Sequence, residues 1–170
     1  MEELKYDGKF IQVKELTIDN HVWEKVYLPD SLVVIPITDK NEMIFIVEKR
    51  PHEVPNQRLK MVTGHIDPGE TPIGCAGREL QEEAGYKANK MEELMVQHSN
   101  GTVNSNFYYF LATDLEESKL PNPDGEETIL EVLKIDIEKV KEMLSTGELL
   151  WTLSTLGLFK IFDMLDKGKI

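Results

Sequence analysis

The apolar positions of the chain fall first into short runs of strand character. "KFIQVKELTI" and "VWEKVYL" are rich in β-branched and aromatic residues and flank the cluster Asp19-Asn20-His21, which predicts a β-hairpin within residues 1–30. Pro29-Asp30 then breaks the chain. "SLVVIPIT" and "EMIFIVEKR" follow as a pair around Asp39-Lys40-Asn41. Their nearly continuous apolar character predicts burial on both faces, and Pro36 predicts a bulge or an edge position. After a polar loop from Pro51 to Gln57, "RLKMVTG" predicts one short strand. "EELMVQH", "NFYYFLAT" and "TILEVLKI" predict three more, with a polar loop from Asp114 to Glu127 before the last. Helices are predicted near Ile137 to Ser145 and Thr155 to Asp166. There is no internal repeat and no low-complexity linker. Strands, helix, strands and helices in that order predict an α/β domain, a mixed sheet with helices packed on it.

The first helix is the unusual one. Thr71 can cap it, Pro72 suits its first position and Gly85 its stop. At about 100° per residue, Glu79, Glu82 and Glu83 fall within roughly one third of the circumference, with Ile73, Ala76 and Leu80 predicted as the opposite, apolar stripe. Each like-charge pair at one-turn spacing costs roughly 0.2–0.5 kcal/mol on an exposed helix. Gly74 and Gly77 each cost about 1 kcal/mol relative to alanine. The helix is poor on local grounds, and such inconsistency marks functional sites. Taken alone, the run reads as a solvated acidic face relieved by Arg78. The alternative is a seat for a hard cation: Mg²⁺ takes carboxylate and water oxygens and borrows others from phosphates. The preceding loop "TGHIDPGE" turns tightly and can aim a main-chain carbonyl, such as that of Thr63, at the same ion.

Composition narrows the field. Apolar residues at 41% and charged residues at 29% fit a soluble globular chain of 170 residues, one domain's length. The net charge of −12 leaves no basic stripe for a nucleic-acid backbone. No apolar run is long enough to cross a bilayer, and "MEELKYDGKF" lacks the apolar core of a signal peptide, so the expected compartment is the cytoplasm. Cys75 alone excludes an intrachain disulfide and is expected to be a small packed residue. His21, His52, His65 and His98 show no metal-ligand spacing.

The full spacing of the acidic stretch decides between the readings. Gly64, five residues, Glu70, seven residues, Arg78-Glu79-Leu80, one residue, Glu82-Glu83, one residue, Gly85-Tyr86: every fixed position matches the G-x5-E-x7-R-E-U-x-E-E-x-G-U signature, U being a bulky apolar residue. The chain resembles the Nudix hydrolases. "SLVVIPIT…MIFIVEKR" is similar to the paired strands before that box, and "FYYFLATDL" to the strand after it. The N-terminal hairpin and closing helices resemble the ADP-ribose pyrophosphatase and nucleoside-diphosphate-sugar hydrolase branch. The resemblance implies a Nudix-type α/β/α sandwich over residues 31–170, preceded by a β-hairpin region over 1–30 that serves dimerisation.

It also implies roles. Glu79 and Glu83 would be the main metal ligands, Glu82 a further ligand or a partner through water, and the Thr63 carbonyl a backbone ligand, a role that does not constrain its side chain. Arg78 and Glu70 would lock loop to helix, with Gly64 supporting the site. The catalytic set would be Glu83, Glu82 and a general base on the late loop, where "DGEET" supplies Glu126 and Glu127. The cofactor would be Mg²⁺, with Mn²⁺ able to substitute, and the partners a small nucleoside diphosphate derivative and a second copy of the chain. Metal ions would screen the diphosphate and lower the pKa of an attacking water, a late-loop carboxylate would take the proton, and a nucleoside monophosphate and a sugar phosphate would leave. Arg50 and Arg58 are candidates for phosphate or base contacts, with surface ion pairs as the alternative. Trp23 and Tyr27, on one face of a strand, are candidates for base stacking, with core or dimer interface as the alternative. Two departures stand out: Asn100 in "HSNGTVNS" where ADP-ribose-cleaving members carry a proline, and no proline in "KMVTG". The first leaves other diphosphate sugars open. A metabolite sensor without catalysis and a dimeric scaffold are the competing functions.

Overall fold

The computed structural model of the protein describes residues 2–121, 128–149 and 152–170. Three strands open the chain: β1 (Glu2–Asp7), β2 (Gln12–Ile18) and β3 (His21–Tyr27), paired antiparallel in that order. Asp19 and Asn20 both take positive φ, 48° and 63°, the two-residue turn whose twist matches that of a hairpin. The expected hairpin is therefore present, with β1 added on its outer edge. β1 was not predicted because it is exposed throughout and carries no buried face to pattern its sequence.

The next strands are β4 (Ser31–Pro36), β5 (Glu42–Lys49), β6 (Gln57–Lys60), β7 (Val62–His65), β8 (Tyr86–Asn100), β9 (Val103–Glu117) and β10 (Thr128–Asp136). They form two sheets. The larger runs β1-β2-β3-β9-β4-β7, with β8 on the other edge of β9, and mixes parallel with antiparallel pairs. The smaller is antiparallel, β10-β5-β6. β9 is long enough for β3 and β4 to share one of its edges, at Val103–Asn104 and Phe107–Ala112 in turn.

Several expectations change here. β4 and β5 are not a ladder; an isolated bridge, Ile37–Met43, joins the residue after β4 to β5, and the two strands belong to different sheets. Both are buried on both faces as predicted, because each has layers above and below it. "RLKMVTG" is two strands: β6 pairs with β5, and the chain crosses at the buried Met61 to let β7 pair with β4. Pro36 makes no bulge; it is the last residue of β4, beyond Val34 where β7 stops pairing, and so takes the expected edge position. β9 continues through Asp114 to Glu117, so the polar loop begins later than expected. "HSNGTVNS" is the closed end of the β8–β9 hairpin, with Asn100 opposite Asn104.

Helices α1 (Pro72–Glu79), α2 (Ile137–Thr146) and α3 (Thr152–Asp166) complete the layers. Alternation along the strands sorts the core. Leu32, Val34, Ile44, Ile46 and Phe110 pack with Cys75, Ala76 and Leu80 of the α1 layer. Val33, Ile35, Phe45, Tyr109 and Leu111 pack with Val140, Leu158 and Ile161 of α2 and α3. That is the α/β/α sandwich the resemblance implies, and it fixes α1 against β7, the strand that carries Thr63 and Gly64. No helix among the described residues is long and apolar enough to cross a membrane.

Candidate active site

The acidic helix begins as its sequence predicts. Thr71 Oγ1 accepts from the Gly74 amide at 3.2 Å, and Pro72 takes the first helical position. After Glu79 the α-helix gives way to a π-helical turn, Leu80–Ala84, closed by Gly85 at φ 78°. Such turns occur often at functional sites, and this one carries Glu82 and Glu83. The anchoring face is Cys75, Ala76, Leu80 and Ala84, all buried. Ile73, expected on that stripe, is 51% exposed; it lies in the first turn, between the exposed Thr71 and Gly74. The acidic face is not solvated either: Glu79 and Glu82 are 9% exposed and Glu83 is fully buried.

Cations from the chain itself hold these carboxylates. Arg78 binds Glu70 through two nearly parallel bonds of 3.0 Å, and reaches Glu79 at 2.8 Å and Glu82 at 2.9 Å. Bonding to Glu70, more than enough to offset burial, holds the guanidinium charged, and Arg78 in turn holds the Glu70 carboxyl below the usual carboxylate range. The expected lock between loop and helix is thus formed. Gly64 explains its own place: a Cβ there would lie 2.3 Å from Glu79 Oε1, so only glycine lets that carboxylate rest on β7. Glu83 accepts from the Thr63 amide at 2.9 Å and from Lys60 Nζ at 3.0 Å. Lys60 also donates to Thr63 Oγ1 at 2.8 Å, so the Thr63 side chain is held within the site by a bond separate from the role expected of its carbonyl.

Lys60 links the site to the second sheet. Its ammonium lies 2.8 Å from Glu48 Oε2, off the hydrogen-bond direction and so an ionic contact. Burial alone would raise the Glu48 pKa, but Lys60 and Arg50 outweigh it and hold the group below its ordinary value. Arg50 bonds to Glu48 at 2.8 Å and to Glu53 at 3.0 Å, and Arg58 pairs with Glu53. The two arginines proposed for substrate therefore sit in one ion-pair cluster that runs through Glu48 and Lys60 to Glu83. Sequence patterning missed Lys60 and Glu48; the available signal was one charged residue at the buried end of each of two strands that pair in the fold. It also missed Lys119, whose ammonium caps the last turn at 2.6 Å from the Glu82 carbonyl.

Other expected residues are placed as follows. Trp23 is exposed, while Tyr27 donates to Glu2 at 3.0 Å beneath the Lys14 ammonium. His65 lies 2.9 Å from Ser31 Oγ and stacks on Phe10, and His98 meets Asn106. Cys75 is packed as expected; burial, reinforced by Glu79, pushes its thiol pKa up. Glu126 and Glu127 lie outside the described residues.

The donor set suits a hard divalent cation: three enclosed carboxylates, oxygen donors only, and a strand kept bare at Gly64 for the closest of them. Among the described residues no three His, Cys, Asp or Glu side chains are already drawn together as a cage. Arg78, Lys60 and the Thr63 amide supply the compensating partners instead.

Known proteins resemble the chain in sequence and in fold. The profile described as NUDIX domain matches residues 28–150. The chain is 26% identical over 151 residues to the ADP-ribose pyrophosphatase of Bacillus subtilis (strain 168), covering 84% of this chain and 80% of that protein. It is 30% identical over 105 residues to the ADP-sugar pyrophosphatase of Mus musculus, covering 54% of this chain and 49% of that one. A crystal structure of an ADP compounds hydrolase superposes with a TM-score of 0.82 at 23% identity, covering 100% of this chain and 95% of that one, and so shares the fold. With the box intact in sequence and assembled in space, the chain belongs to the NUDIX family and is a Nudix hydrolase.

Proposed function

We propose that the protein hydrolyses the diphosphate linkage of a nucleoside diphosphate sugar of the ADP-ribose type, releasing a nucleoside monophosphate and a sugar phosphate. The observation that carries this reading is the gathering of Glu79, Glu82 and Glu83 onto one enclosed face against Gly64 and Thr63. Relatives named as ADP-ribose and ADP-sugar pyrophosphatases support the substrate class. Relatives named as GDP-mannose pyrophosphatase keep other diphosphate sugars in the test.

Glu79, Glu82 and Glu83, with the Thr63 carbonyl, would hold Mg²⁺ or Mn²⁺. The ion would supply charge neutralisation on the diphosphate and Lewis acidity. Arg78 fixes two of the ligands and ties them to Glu70, so the carboxylates need little reorganisation to receive an ion. Glu126 or Glu127 serves as general base in this proposal. Arg50 and Arg58 are available to the substrate only by giving up bonds to Glu53 or Glu48. Residues 1–30 serve a homodimer: Leu4, Tyr6, Ile18, Val22 and Trp23 expose apolar surface there, as an uncovered interface does. The cytoplasm is the proposed compartment.

The test is phosphate release, after phosphatase coupling, from ADP-ribose, ADP-glucose, UDP-glucose and GDP-mannose with Mg²⁺ and with EDTA. Cleavage that requires the metal and is nearly abolished by Glu83→Gln, at unchanged far-UV circular dichroism, is the expected result. Full activity of Glu83→Gln would refute the assignment of the site. Tight binding without cleavage would favour a sensor.

A further inference from the structure

Lys60 is the charged group of the site that the reading above leaves without a task. It is 4% exposed, and its ammonium donates to Glu83 Oε1 at 3.0 Å and Thr63 Oγ1 at 2.8 Å and lies in ionic contact with Glu48 Oε2 at 2.8 Å. Its placement follows from strand register. Lys60 pairs with Ile46 across β5–β6, so it shares the α1-facing side with Ile46 and, two residues on, with Glu48. Glu83 meets it from the π-helical turn. Burying an ammonium this deeply costs several kcal/mol unless opposite charge surrounds it. Here two buried carboxylates do so, and one belongs to the proposed metal set.

We propose that Lys60 is a resident counter-cation of the carboxylate site: it holds Glu83 when no divalent ion is bound and weakens the affinity with which Glu79, Glu82 and Glu83 take one up. The inference rests on the metal-site reading of the preceding subsection. A divalent ion sharing Glu83 would meet a positive charge already 3.0 Å from one oxygen, and like charges that close repel strongly in a partly dry site. Arg78 is a different case, because it lies on the helix itself, is more exposed and leaves Glu83 alone. Lys60 thus acts as a positioning residue. It keeps Glu83 oriented in the metal-free chain, at the expense of metal affinity.

The test uses Lys60→Met with Glu48→Gln, which removes a buried charge and its partner together and leaves Glu83 its bond from the Thr63 amide. The full chain, freed of metal, is titrated with Mn²⁺ and the free ion read by electron paramagnetic resonance. The Mn²⁺ Kd is expected to fall roughly fivefold, the equivalent of about 1 kcal/mol. Glu48→Gln alone, which keeps the ammonium, should not tighten binding. An unchanged or weaker Kd in the double variant overturns the proposal. Should that variant not fold, wild-type protein labelled with ¹⁵N-lysine replaces it. The Lys60 ammonium signal is expected to shift on adding Mg²⁺ but not Na⁺, and an unshifted signal overturns the proposal. The titration reads binding alone, so it decides the role of Lys60 whatever the hydrolysis assay returns.

Discussion

Replacing Gly64 by alanine adds one methyl group, and the structure shows where it would go. The new Cβ would sit 2.3 Å from Glu79 Oε1 and 2.4 Å from Glu79 Cδ and Cγ. Ordinary carbon contacts lie at about 3.5–4.0 Å, so the carboxylate would have to retreat by about 1 Å. It has little room to do so. Glu79 is 9% exposed and bonded to Arg78, which also holds Glu70 and Glu82. Gly64 is not in the left-handed region, so alanine meets no backbone penalty and the effect isolates the contact. Overpacking of this kind costs about 1–3 kcal/mol, and for a domain of this size about 2–4 °C of Tm per kcal/mol. A misplacement of about 1 Å in a metal ligand predicts roughly a hundredfold loss of turnover. The assay is Mg²⁺-dependent hydrolysis beside thermal unfolding of the same preparations. Adding Glu79→Asp, which withdraws the carboxylate by one methylene, should recover part of the Tm and none of the activity. A Gly64→Ala protein with wild-type Tm and wild-type turnover would refute the claim that the glycine exists to seat Glu79.

The remaining predictions concern charge, burial and assembly. Because Arg78 depresses the Glu70 pKa in the folded chain, the pair stabilises above the ordinary carboxylate pKa of about 4.3, and that gain is lost as pH falls through the lower, folded value. Urea unfolding of metal-free protein should therefore show Glu70→Gln less stable than wild type at pH 7, with the gap closing in acid; a gap that does not narrow as the pH falls contradicts the pairing. Arg78→Lys loses the two-pronged bond to Glu70 and should cost about 1–3 kcal/mol, read as a lower urea midpoint. Cys75, buried and with its thiol pKa raised by burial and Glu79, should resist iodoacetamide at pH 8 until the chain is unfolded; rapid native alkylation would contradict that burial. If residues 1–30 serve a dimer, Trp23→Asp should shift the mass measured by light scattering from dimer to monomer, and a monomeric wild type would end that proposal.

The local features of the chain were legible where one stretch of sequence carries the whole signal. Thr71, Pro72 and Gly85 bound the acidic helix as patterning predicts, and Asp19-Asn20 makes the expected turn. The spacing from Gly64 to Tyr86 identified the family because all its parts lie within one short contiguous stretch, from the end of β7 through the acidic helix to the start of β8. Pairing was harder to see. An apolar strand buried on both faces has no alternation to say which neighbour it joins, so β4 and β5 read as partners although they lie in separate sheets. Likewise "RLKMVTG" has a continuous strand pattern, and only the competing demands of β5 and β4 for partners divide it at Met61.

What the sequence determined by itself is the chemistry on offer: three carboxylates at helical spacing, an arginine among them and a glycine ahead of them. Tertiary structure decided what those groups meet. Lys60 and Glu48 reach Glu83 only because the chain changes sheets between β6 and β7, bringing residues 48, 60 and 83 to one point. Charges placed by distant segments leave no period in the sequence, since long-range pairing is set by which faces must be buried and in what register. The acidic run therefore announced a cation, and the fold supplied Arg78 and Lys60 from the chain's own side chains as partners in the metal-free state.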